Sequence, residues 1–129
     1  MSLIDQLKQA GQSIQVTIEE YATKHSLTIL RGIQVRRISG HRARYTANCL
    51  LQVQGIPLSS NNWNSNLKLI KRQFARAVEK DIKFEQWRYL GCDLSILSET
   101  DLAMNFIFEI PNNLLPIQQH TLSTLEGNK

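Results

Sequence analysis

The chain has 129 residues, of which 42% are hydrophobic and 20% charged, a length and balance that fit one domain with one core and exclude disorder throughout. The net charge is +4. The apolar runs are only a few residues long, which excludes a spanning helix.

Residues 2–24 predict a helix. Ser2 can cap it, with Asp5 three residues later as an acidic version of the capping box. Leu3, Leu7, Ala10, Ile14, Ile18 and Tyr21 recur at spacings of three and four and make one apolar stripe. The start carries Asp5 and lacks the basic-then-apolar layout of a secretion signal, so a cytoplasmic protein is expected.

A hairpin follows. In its second arm Ala43, Tyr45, Ala47, Cys49, Leu51 and Val53 alternate with Arg42, Arg44, Thr46, Asn48, Leu50, Gln52 and Gln54. Such alternation predicts a strand buried on one face only. The first arm offers Leu27, Ile29, Ile33 and Val35. A three-residue turn at Ser39-Gly40-His41 keeps the faces matched by pairing Val35 with Tyr45 and Ile33 with Ala47. It also sets Arg36 opposite Arg44, a like-charge contact that something must offset.

Gly55-Ile56-Pro57 ends the strand, and Ser59-Ser60-Asn61-Asn62 reads as a loop. A second helix is expected from Asn64 or Ser65 to about Lys83, burying Leu67, Ile70, Phe74, Ala77 and Val78. Lys68, Arg72 and Arg76 line its exposed flank at i, i+4 and i+8, with Lys71 beside them. A second hairpin is expected from 84–98 and 102–110. Leu102, Met104, Phe106, Phe108 and Ile110 alternate strictly, as do Leu90, Cys92, Leu94 and Ile96. Trp87 and Tyr89 fall on the other parity, so they face outward unless a bulge near Gly91 shifts the register.

These elements predict an α+β domain over residues 1–111, in the order helix, strand, strand, helix, strand, strand. The simplest packing is an antiparallel sheet with both helices on one face. Residues 112–129 read as a polar, partly disordered tail. The order differs from those of the double-stranded RNA-binding domain and the RNA-recognition fold, and no aromatic RNA-recognition motif is present.

The charge is segregated. Residues 21–78 hold ten Lys or Arg and no acid, while the segments before and after them are net negative. That asymmetry points to a polyanion or to self-contact. Arg36, Arg37, Arg42 and Arg44 on the hairpin and Lys68, Lys71, Arg72 and Arg76 on the helix are the candidate phosphate contacts. Trp87 and Tyr89, if outward, would stack on bases.

Other chemistries find little support. His25, His41 and His120 are scattered, and Cys49 and Cys92 lack metal-ligand spacing, so no metal or cofactor is expected. Two cysteines make no disulfide framework and read as reduced, buried thiols. Along one strand Cys49 and His41 lie roughly 26 Å apart, too far to form a nucleophile pair. Asp81-Ile82-Lys83 with Glu85 resembles part of a nuclease metal site, but the acid-free stretch supplies no further carboxylate. The expectation is a non-enzymatic nucleic-acid-binding protein, for DNA or RNA, that forms a homo-oligomer. The alternative is a homo-oligomeric protein-interaction module, an adaptor or chaperone, with no nucleic-acid role.

Overall fold

A computed structural model describes residues 2–55, 57–58, 63–82, 84 and 86–110. The expected Ser59–Asn62 loop and the tail from Asn112 lie outside these residues. The elements are α1 (Leu3–Lys24), β1 (Leu27–Arg37), β2 (Arg44–Val53), α2 (Trp63–Glu79), β3 (Arg88–Ile96) and β4 (Asp101–Glu109). The fold is α+β, with one antiparallel sheet in the order β1-β2-β4-β3. No helix among the described residues is long and apolar enough to cross a membrane.

α1 starts where its cap dictates. Ser2 is extended, and its hydroxyl accepts from the Asp5 N–H at 3.2 Å, satisfying one orphan donor of the first turn. Leu3, Leu7, Ala10, Ile14, Ile18 and Ala22 are buried on one side. The helix stops at His25, and Ser26 turns the chain with φ of 56°. α2 packs beside α1 in the antiparallel sense. Tyr21 meets Phe74 at 5.8 Å between ring centroids, His25 Nε2 donates to Gln73 Oε1 at 2.7 Å, and Thr17 Oγ1 donates to Asp81 Oδ2 at 2.6 Å. α2 begins one residue earlier than the helix expected from sequence and ends at Glu79, four residues short of Lys83.

Both helices cover one face of the sheet. Tyr45, Ala47, Cys49 and Leu51 of β2 and Leu102, Met104, Phe106 and Phe108 of β4 are buried against them, with Ile70, Phe74 and Val78 of α2 in the same core. At the hairpin end the core is an aromatic stack: Phe84, Trp87, Phe108 and Tyr45 follow one another at centroid distances of 4.7, 5.2 and 5.9 Å. These rings combine large burial with favourable stacking.

The register of the first hairpin corrects the expected turn. Near the tip Val35 pairs with Ala47, Arg36 with Thr46 and Arg37 with Tyr45. The Ile38 N–H donates to the Arg44 carbonyl at 2.8 Å, so residues 39–43 form the loop in place of a three-residue turn. Arg36 therefore does not oppose Arg44. The wider loop is compensated lower down, where the register shifts between Ile29 and Arg31 and again between Arg31 and Gln34, so that Leu27 still pairs with Val53. Two bulges return β1 to the parity its apolar residues require.

A side chain from α1 supports that irregular stretch. Gln15 Oε1 accepts from the Ile33 N–H at 2.7 Å. A Cβ on Gly32 would lie 2.7 Å from the same oxygen, closer than real contacts allow. Gly32 thus leaves room for the amide that replaces a lost ladder bond. We expect Gln15→Ala to cost about 1–2 kcal/mol, because it strands a backbone donor. Gly32→Ala should destabilise by displacing the same amide, so the double mutant should cost clearly less than the two single losses combined. Urea unfolding of the four proteins checks this; additive losses would separate the two residues.

Candidate nucleic-acid interface

The eight cations expected to contact phosphate divide between two sides of the molecule. Residues 44, 46, 48, 50 and 52 of β2 and 101, 103, 105, 107 and 109 of β4 point away from the helices, because their alternate neighbours form the core. This second face is uncovered by any described element. Arg36 and Arg44 lie on it. The Arg36 guanidinium donates to Gln34 Oε1 at 3.2 Å, and Arg31 Nη2 donates to Asn48 Oδ1 at 2.5 Å. Arg37 pairs with Tyr45 and so falls on the helix side, half-buried. Arg42 is exposed in the tip loop.

Arg44 is not a free cation. Glu109 pairs with Arg44 across the ladder, 3.6 Å from its Nε, and takes Arg88 Nη2 at 2.7 Å on the other side. One carboxylate thus sits between two guanidiniums. Sequence reasoning missed it because Glu109 lies far outside the acid-free segment, and only the β2–β4 pairing brings it there.

Lys68, Lys71, Arg72 and Arg76 belong to the helical layer, on the opposite side from the open sheet face. All four are exposed, and none makes an ion pair among the described residues. Successive members of the row Lys68, Arg72 and Arg76 stand about 6 Å apart along the helix axis. The charge of Lys71 favours the Cys92 thiolate.

The stacking role expected of Trp87 and Tyr89 does not fit their positions. Trp87 is 9% exposed, with its ring tilted against Phe84 and stacked on Phe108 at 12°. Tyr89 is half-buried and packs on the core. The cause is the bulge between Tyr89 and Gly91, where Leu90 is the extra residue. It puts Trp87 and Tyr89 on the same side as Cys92 and Leu94 and leaves Leu90 38% exposed. Gly91 takes φ of 144°, a conformation side chains rarely adopt.

Neither thiol, Cys49 nor Cys92, is paired in a disulfide. His25 is held by Gln73. Burial first, and the neighbouring Cys92 second, push the Cys49 thiol up to about 12. Burial also takes Cys92 to about 12 against the opposing pull of Lys71. Burial likewise raises the Tyr89 hydroxyl above its ordinary range. No three His, Cys, Asp or Glu side chains among the described residues converge on a metal position. Of the acidic cluster around Asp81, Lys83 and Glu85 lie outside the described residues. No protein-family model, curated protein or solved structure shows significant similarity to this chain.

Burial of the thiols gives a pH dependence with a definite sign. The unfolded thiol ionises from about its ordinary 9.0, while the folded one keeps its proton to about 12. Their contribution is complete below pH 9 and is lost as pH rises toward 12, by up to about 1 kcal/mol per pH unit for Cys49 and less for the partly exposed Cys92. Urea midpoints measured on both sides of pH 9 should fall on the alkaline side, and fall less steeply in Cys49→Ala. An unchanged slope in that variant would place the alkaline loss elsewhere.

Proposed function

We propose that the protein is a small non-enzymatic nucleic-acid-binding protein that grips phosphates mainly along the exposed flank of α2. The observation that carries this reading is the row of Lys68, Arg72 and Arg76, with Lys71 beside it, exposed and unpaired with any described carboxylate. Uncompensated cations on one rigid helix suit a polyanion, because each phosphate neutralised releases counterions. Arg42 at the hairpin tip is a secondary contact. Arg36 and Arg44 contribute less, since Arg44 already shares Glu109 with Arg88. With Trp87 and Tyr89 turned inward, the recognition is of backbone rather than of bases, and so tolerant of sequence.

The competing reading, a homo-oligomeric interaction module serving as adaptor or chaperone, is favoured by the uncovered sheet face. Addition of a partner strand at an edge is less suited, because both edge strands, β1 and β3, carry register breaks.

Fluorescence anisotropy with a labelled single strand and a labelled duplex tests the proposal. The logarithm of affinity should fall linearly with the logarithm of salt, with a slope of roughly −3 for four phosphate contacts. Lys68→Glu with Arg72→Glu and Arg76→Glu should lower affinity at least about a hundredfold at low salt, with little change in unfolding midpoint because all three are surface positions. Arg42→Glu should have a much smaller effect. No binding by the unmodified chain at low salt, or full binding by the triple variant, rules the helix flank out.

A further inference from the structure

We infer that the uncovered sheet face is a self-association surface that takes a second copy of this chain, packed face to face about a twofold axis running along the strands. The inference does not rest on the nucleic-acid reading, which relies mainly on the opposite layer.

The face combines apolar, amide and charged side chains. Ile107 on one side and Leu50 with Ala103 on the other, all half-buried, flank the middle of the face. Asn48 and Asn105 pair at that middle and supply donors and acceptors. Charges stand toward the margins. Four strands about 4.8 Å apart and nine residues long at about 3.3 Å offer roughly 550 Å² a side, the small end of specific interfaces.

The occupant follows from how charge is laid across the face. The β1–β2 half carries Arg31, Arg36 and Arg44, and the β4–β3 half carries Asp93, Asp101 and Glu109 with the single cation Arg88. The surface is therefore complementary to itself. An axis along the strands lays β1 and β2 of one copy over β3 and β4 of the other. In the observed register Arg44 then faces Glu109 of the second copy. Asp93 falls opposite Gln34, between Arg31 and Arg36, and Leu50 meets Ala103. An axis across the strands would instead lay β1 on β1 and bring Arg31 against Arg36, a like-charge contact. Both axes give the aligned packing usual for two twisted sheets, so the charge layout chooses between them.

Sedimentation equilibrium on the full chain tests this, with circular dichroism to verify folding. The chain should dimerise with a dissociation constant on the order of micromolar to tens of micromolar. Ile107→Arg, which buries a charge within the contact, should abolish dimerisation. Arg36→Asp and Asp93→Arg should each weaken it about tenfold, since every dimer contains the contact twice. The two changes combined in one chain should restore it, because the new carboxylate at position 36 then lies beside the new guanidinium at position 93 of the second copy. That rescue decides the matter even if Ile107→Arg fails to fold. A chain that stays monomeric at millimolar concentration overturns the inference. So does a dimer insensitive to Ile107→Arg, or failure of the charge swap to rescue.

Discussion

Nine consecutive residue pairs, from Arg44 with Glu109 to Gln52 with Asp101, join β2 to β4 without a break in register. It is the one ladder in the sheet that no bulge interrupts, and the rest of the structure is arranged around it. Unbroken pairing preserves parity on both strands, so every second residue enters the core and every other one reaches the open face. The helices then have one continuous apolar surface on which to pack. The outer strands depart from this regular centre: β1 through two bulges, with Gln15 bonded to Ile33 beside them, and β3 through one at Leu90 and Gly91.

Much of this was legible in the residues. The stripe in α1 and its Ser2 cap follow local rules, since each involves side chains within a few positions of one another. The alternation of Tyr45 to Val53 and of Leu102 to Ile110 assigns core and solvent faces to β2 and β4 because neither strand is bulged. The turn at the first hairpin was not legible. Its loop length is balanced by irregularities near Gly32, and those depend on an amide contributed by a different element, which no hairpin rule can anticipate. Trp87 and Tyr89 posed the same difficulty. Their parity depended on whether a bulge intervened, and Gly91 indicated where it would fall without indicating that it would.

The charge pattern shows how sequence proximity and spatial proximity part company. An acid-free run of 58 residues reads as one basic region, but folding distributes it over two layers and inserts β4 beside β2. Glu109 then bridges Arg44 and Arg88, so part of the apparent surplus is neutralised by residues more than sixty positions away. On α2 no such insertion occurs, and its cations remain uncompensated among the described residues. The candidate site was therefore half legible: the helix row from spacing alone, the hairpin arginines only after the strand order was known.

The strand order β1-β2-β4-β3 has a consequence for how the chain assembles. The two strands that pair most regularly are separated in the chain by all of α2 and β3. The first hairpin can close locally, but the inner edge of β2 has no neighbour until the last strand arrives. During synthesis, the ribosome must release residue 109 before that edge is covered. Until then β2 presents open backbone groups beside an apolar row from Tyr45 to Val53, the kind of surface that invites wrong partners. Closing a contact across so many residues is entropically slow. The central ladder that organises the finished molecule is thus also the last part of the sheet that can form, and the interval before it forms is when the nascent chain most needs protection.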